Sequence, residues 1–331
     1  MTDETQRAKR TRLGVGPSRA ITQKPPELAI GEIVLERYIV EAELGSGAMG
    51  SVYRASHTKL DRSVALKVMH EHLTCEPILL ARFEREAKVA AKLSHPNVCG
   101  VLDVGETADG KHVMVQELVE GKSLGDLMAE APLEQPRIIR IVTHVLRGLA
   151  HAHEMDLVHR DLKPDNILIE SSDHAHEVAR IVDFGVATLL HDDTLERLTG
   201  TGMIVGTPMY MAPEQARAEP VDHRADLYAL GIMLYELLAN TSPFTGTAME
   251  VAVAKMDKEP RPISEHVEVD RVLEAFLGKL IARAPADRFA SAHDALTVIE
   301  TYRRDRDAAG TLLGVIDTAR AIPIIALPDL K

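Results

Sequence analysis

The stretch His159-Arg-Asp-Leu-Lys-Pro-Asp-Asn166 gathers an acid (Asp161), two bases (Arg160 and Lys163) and an amide (Asn166) within a few residues. Pro164 and Asp165 keep it out of a helix interior. It therefore reads as an irregular loop between a helix ending near Met155 and a strand at Ile167–Ile169. A further acid opens Asp183-Phe-Gly185, directly after the strand-like Ala179-Arg-Ile-Val182. A hairpin between these two strands would bring Asp183 close to Asn166. Two oxygen donors at one place suit Mg²⁺, which keeps several waters and is held by one or two carboxylates plus phosphate oxygens.

Lys67 lies in Val64-Ala-Leu-Lys67, a strand whose other residues are apolar. A lysine turned inward there needs an anion, because an isolated buried charge is costly. The following helix offers one. Leu79, Phe83, Glu86, Ala90 and Leu93 recur at three- and four-residue spacing and so share a face. Glu86 is the charged member of that stripe, whereas Glu84 projects away and should be solvated. A Lys67–Glu86 pair satisfies both groups. Upstream, Leu44-Gly-Ser-Gly-Ala-Met-Gly-Ser-Val-Tyr53 spaces Gly45, Gly47 and Gly50 so that backbone can approach a phosphate. Strand-like residues flank it on both sides and no helix opens at the last glycine, which argues against a dinucleotide-binding turn. Taken alone, the glycines also fit a plain hairpin turn.

These residues need a scaffold, and the chain has enough material for one. It has 331 residues, 45% hydrophobic and 27% charged, with six Tyr, five Phe and no Trp. That composition excludes collagen, disulfide mini-scaffolds and wholesale disorder, and requires a mostly aliphatic core. Cys75 and Cys99 have no metal or disulfide spacing and fit a reducing compartment. The net charge of −12 disfavours general nucleic-acid binding. The charge is uneven: residues 1–30 carry six Lys/Arg against three acids. We read residues 1–32 as a disordered basic tail. Strand-like runs at Ile33–Leu35, Tyr38–Val40, Ser51–Tyr53 and Ser63–Met69 precede a helix over Glu76–Leu93 and further strands at Val101–Val104 and His112–Val115. From Ser123 the chain is mainly helical, as in Pro136–His153 and Arg224–Leu238. Strands followed by helices predict an α+β protein with two lobes, residues 33–119 and 120–304, and a C-terminal tail over 305–331. The longest C-terminal apolar run, Ala321–Pro328, is broken by prolines and far too short to span a bilayer.

With these motifs in this order, the chain resembles the protein kinase family over about residues 33–303, and most nearly the eukaryotic-type Ser/Thr kinases of bacteria. The resemblance implies the two-lobed protein kinase fold, a small β-rich N-lobe with one main helix and a larger helical C-lobe. It implies ATP and Mg²⁺, with Mn²⁺ as an alternative ion. Leu44, Gly45, Ser46, Gly47, Gly50, Val52 and Ala65 would surround the nucleotide, and Lys67, held by Glu86, would meet the α- and β-phosphates. Gln116 would sit at the back of the adenine pocket, with Glu117, Leu118 and Val119 forming the hinge. Asp161 would accept or orient the substrate hydroxyl proton, Lys163 would contact the γ-phosphate, and Asn166 and Asp183 would hold the metal ions. Glu214 would pair with Arg288, and Asp226 would anchor the catalytic-loop backbone. Tyr228 stands where the family often has Trp, and can fill much of that volume.

The resemblance also assigns Thr207 to substrate docking and, with Lys163, favours Ser/Thr acceptors. Thr194, Thr199 and Thr201 are phosphorylation candidates, because Arg160 could pair with an added phosphate. Protein substrates, the chain itself in trans, a transient dimer, a cytoplasmic location and a role in signal transduction complete the expectation. Two other functional classes would share some of these motifs. A pseudokinase scaffold would lack a catalytic group, and a small-molecule phosphotransferase would lack the segment ending Ala212-Pro-Glu214; both are intact here. His151, His153, His174 and His176 have no convergent further ligands in the sequence and are not read as a metal site. The chain could be a fragment of a longer receptor. Thr11-Arg-Leu-Gly-Val15 and Thr311-Leu-Leu-Gly-Val315 echo one another near the two ends, as chance or as paired tail sites.

Overall fold

The structure is a computed structural model that describes residues 27–47, 50–71, 77–170, 177–184 and 208–316. Its first part is an antiparallel sheet of β1 (Ile33–Val34), β2 (Tyr38–Ser46), β3 (Gly50–His57), β4 (Ser63–Met69), β5 (Val101–Glu106) and β6 (His112–Glu117), in the order β1-β2-β3-β4-β6-β5. Side chains alternate across a strand. Val64, Leu66 and Val68 of β4 therefore pack with Val113 and Val115 of β6 in an outer cluster that includes Tyr53 and Val40. Ala65 and Lys67 face the other way, toward the second lobe, and Lys67 lies opposite Met114 and Val52 in register. The helix α1 (Pro77–Ala90) covers the sheet with Phe83 and Ala87 buried, and Pro77 occupies a first-turn position that needs no N–H donor.

The second part begins with β7 (Gly121–Ser123) and α2 (Leu124–Glu130), capped by Ser123. The helix α3 (Gln135–His153) buries Ile138, Val142, Val145, Leu149 and Ala152, one apolar stripe at helical spacing. β8 (Ile167–Glu170) and β9 (Val178–Ile181) form a hairpin paired with β7. After the short α4 (Pro213–Ala216), α5 (Arg224–Ala239) is buried on nearly every face, as expected of a helix at the centre of a lobe. It stops at Asn240, whose left-handed φ of 52° closes the C-terminus. α6 (Ala248–Asp257), α7 (Arg271–Leu280) and α8 (Ala292–Arg304) follow, α7 packing on α5 and α8 on α3, with Thr247, Asp270 and Ser291 as their N-caps.

The expected α+β, two-lobed architecture is present. At both ends, however, residues assigned to the expected tails belong to the folded lobes. Leu28 is buried, and the backbone N–H groups of Glu27 and Leu28 donate to the Tyr53 hydroxyl. At the other end α9 (Arg306–Leu312), capped by Asp305, buries Ala309 and Gly310 against α7 and α8. A three-residue apolar run, Leu28–Ile30, and a seven-residue helix carry too little periodicity to be seen before the surface they cover is known. No described helix is long and apolar enough to cross a membrane.

Candidate active site

The glycine hairpin between β2 and β3 closes with the Gly47 N–H donating to the Gly50 carbonyl at 2.9 Å. Its three glycines are not equivalent. A Cβ on Gly45 or Gly47 would meet nothing within 4 Å, so the backbone there lies open to a ligand. A Cβ on Gly50 would stand 1.9 Å from the Val68 carbonyl oxygen and 2.9 Å from its carbon. Gly50→Ala must therefore part β3 from β4, and should cost about 1–3 kcal/mol, read as a lowered urea midpoint. Gly45→Ala and Gly47→Ala should leave that midpoint in place and instead raise the KM for nucleotide. Equal stability losses at all three positions would refute the distinction.

Lys67, 6% exposed at its side chain, places Nζ 2.7 Å from Asp183 Oδ1. Asp183, two residues beyond the end of β9, adopts a left-handed φ of 62°. Burial alone would raise its carboxyl pKa; Lys67, with His159 and Lys163 further off, holds it below the ordinary carboxylate value. Lys67 thus has Asp183 as an ion partner among the described residues; the expected pairing with Glu86 falls on a side chain outside them. Phe184 is buried edge-on to the His159 ring, with centroids 5.0 Å apart.

The loop of residues 159–166 is fixed from several sides. Asp226, buried on α5, accepts the backbone N–H groups of His159 and Arg160, both at 2.8 Å. The side chain of His153 sits 2.9 Å from the same carboxylate. Burial would raise Asp226; His153, His159 and the loop N–H group hold it low instead. Gln215 donates to the Arg160 carbonyl at 2.8 Å. Arg160 itself has φ 66°. The Asn166 amide donates to the Asp161 carbonyl at 2.8 Å, and the Lys163 ammonium lies 3.1 Å from Asp161 Oδ2. The Val182 N–H donates to the Asn166 carbonyl, so the expected hairpin does bring Asp183 beside Asn166. Asp183 and Asn166 are hard oxygen donors of the kind Mg²⁺ takes alongside phosphate oxygens, and with the open backbone at Gly45 and Gly47 they fit a metal–nucleotide pair.

At the lobe junction Gln116 is buried. The Glu117 N–H donates to the Gly100 carbonyl, and Cys99 Sγ lies 3.2 Å from the Glu117 carbonyl. Burial pushes the Cys99 thiol up to about 12. The Glu117 side chain pairs with Arg62 at 3.1 Å and with Arg180 of β9. Val119 is buried, whereas Leu44 is exposed at the mouth of the cleft. Ala65 is buried on the same face of β4 as Lys67, and Val52 is that lysine's cross-strand partner. Ser46 accepts a hydrogen bond from Ser51 across the hairpin.

Glu214 and Arg288 form the expected buried pair, with contacts of 2.6 and 2.7 Å. Tyr228 fills its site under Arg288, whose guanidinium lies 4.8 Å from the ring centroid. His151 stacks on His95, and His153 is engaged with Asp226. Thr194, Thr199, Thr201, Thr207, His174, His176 and Cys75 lie outside the described residues. Arg180, Gln215 and Lys255 are contributors that the sequence does not single out: each is an ordinary surface-type residue until its burial and partners are known.

Residues 38–298 match the Protein kinase domain family. The chain is 38% identical over 289 residues to the serine/threonine-protein kinase pkn3 of Myxococcus xanthus, covering 85% of this chain and 53% of that protein. It is 38% identical over 275 residues to the serine/threonine-protein kinase PknL of Mycobacterium tuberculosis, covering 82% and 66%. Among solved structures, the PknI kinase domain of Mycobacterium tuberculosis aligns with a TM-score of 0.65 at 31% identity, covering 82% of this chain and 98% of that one. The chain belongs to the protein kinase family, among the eukaryotic-type Ser/Thr kinases of bacteria. It spans about half the length of the Myxococcus relative.

Proposed function

We propose that this chain transfers the γ-phosphoryl group of ATP to Ser or Thr hydroxyls of proteins, its own activation segment included, in trans and through a transient dimer. The observation that carries this reading is the convergence of Lys67, Asp183 and the Asn166–Asp161 loop in one cleft between the lobes. The transferring group has a loose transition state with charge spread over its oxygens, so catalysis here is positioning plus cations. Mg²⁺ bound at Asp183 and Asn166 would neutralise phosphate charge, with Mn²⁺ as a substitute. Lys67 holds the α- and β-phosphates. Asp161 receives or orients the proton of the acceptor hydroxyl, and the ammonium of Lys163 lies beside it where negative charge gathers. Arg160 is the partner for phosphate on Thr199 or Thr201, with Thr194 a further candidate, and Thr207 favours Ser/Thr acceptors. A cytoplasmic site of action in signal transduction suits these substrates.

The test uses the full chain with labelled ATP, MgCl₂ and myelin basic protein, followed by phosphoamino-acid analysis. Label on serine and threonine is expected. Label on tyrosine alone, or none on either protein, would overturn the reading.

A further inference from the structure

The residue with the most unusual setting outside the cleft is Lys255 on α6. Its helix is fixed in rotation by a capping box at Thr247 and Glu250. Val251 and Lys255, four residues apart, share the inward face and are both buried, while Met249 and Val253 are exposed. An ammonium thus stands where the pattern calls for an apolar residue. It is 1% exposed and lies against the Tyr228 and Phe244 rings, 5.4 and 6.0 Å from their centroids. Among the described residues no carboxylate pairs with it directly. Glu236, an acid whose charge acts on it, is hydrogen-bonded by the Tyr210 hydroxyl at 2.7 Å.

The three N–H groups of Lys255 go instead to three backbone carbonyls: Pro208 at 3.1 Å, Met211 at 3.0 Å, and Met209. Three carbonyl oxygens converging on one point would repel one another without a cation among them, so the path of residues 208–211 depends on the ammonium. Burial pushes Lys255 down to about 7, with Glu236 opposing the fall; the carbonyls and ring faces favour the charged form. Downstream, this segment runs into the Glu214–Arg288 pair. Its half-buried side chains, Met209 to Met211, remain at the surface.

We propose that Lys255 is a positioning residue for the protein acceptor: by gathering the carbonyls of residues 208, 209 and 211 it shapes the ledge on which the acceptor lies, and so sets the KM for acceptor. The inference rests on the protein-kinase reading above. Lys255→Met keeps the stem and rings in contact but removes all three donors. Measured with the full chain and myelin basic protein, it should raise acceptor KM about tenfold or more, while the KM for ATP moves less than twofold. Should Lys255→Met fail to fold, Lys255→Gln keeps two N–H donors and carries the same readout, with a smaller rise. A lower melting temperature with acceptor KM unmoved in a folded variant would mark a purely structural lysine and overturn the proposal. Absence of transfer by the unsubstituted chain would instead sink the kinase reading itself.

Discussion

Asp161→Asn should lower phosphoryl transfer by about 10²–10⁴-fold, the range spanned by loss of a positioned acid or base. The substitution is nearly isosteric. The Asn166 amide bonds the main-chain carbonyl of residue 161, not its side chain, and Asp226 grips the loop through His159 and Arg160, so the loop should keep its shape. What is lost is an atom able to take a proton, and an anion 3.1 Å from Lys163. The KM for ATP should stay within about twofold, because the Lys67–Asp183 pair is untouched. Lys67→Met makes the contrasting case. It leaves the half-buried Asp183 without the cation that offsets its desolvation, so that carboxyl should titrate at higher pH than in the parent chain. Initial rates at saturating and limiting ATP separate the two variants. An Asp161→Asn enzyme with parental kcat would remove Asp161 from the chemistry.

Arg288→Met should destabilise the chain by about 3–5 kcal/mol, the cost of leaving one member of a buried pair uncompensated. Arg288 is 0% and Glu214 3% exposed at the side chain. The guanidinium also donates to the carbonyls of Ala282, Arg224 and Arg283, so its removal orphans main-chain acceptors too. For a chain of this size, the fall in melting temperature should be about 10 °C. Glu214→Gln should be milder, because an amide can still accept one hydrogen bond from Arg288. The double variant should lose less than the two single losses together, since no buried charge is then left alone. Additive losses in denaturant titrations would mean that the two groups do not act as a pair.

Much of the cleft is legible in the sequence, for identifiable reasons. Lys67 announces itself because period-two alternation in β4 leaves a cation on a face where only buried residues sit. The approach of Asp183 to Asn166 follows from a hairpin whose strands are short and whose register the apolar positions set. The Asp226 grip and the Glu214–Arg288 pair come from resemblance, since nothing in local spacing links residues so far apart. The partner of Lys67 is harder to read. Helical periodicity nominates Glu86, whose side chain lies outside the described residues, while the contact with Asp183 joins positions too far apart in the chain for local spacing to mark. Lys255 is invisible for a related reason: its three partners are main-chain carbonyls, which every residue possesses and no sequence pattern marks.

The first described residues, before β1, bear on how the enzyme should be produced. The His70 ring is wedged between the Glu27 carboxylate, 2.5 Å from Nδ1, and the Gly47 carbonyl, 2.9 Å from Nε2, while Lys111 donates to the Glu27 main chain at 2.6 Å. A recombinant fragment opened at Ile33, where the repeating pattern begins, would discard this brace along with Leu28. Two preparations differing by a handful of leading amino acids could thus share every signature motif and still grip nucleotide unequally.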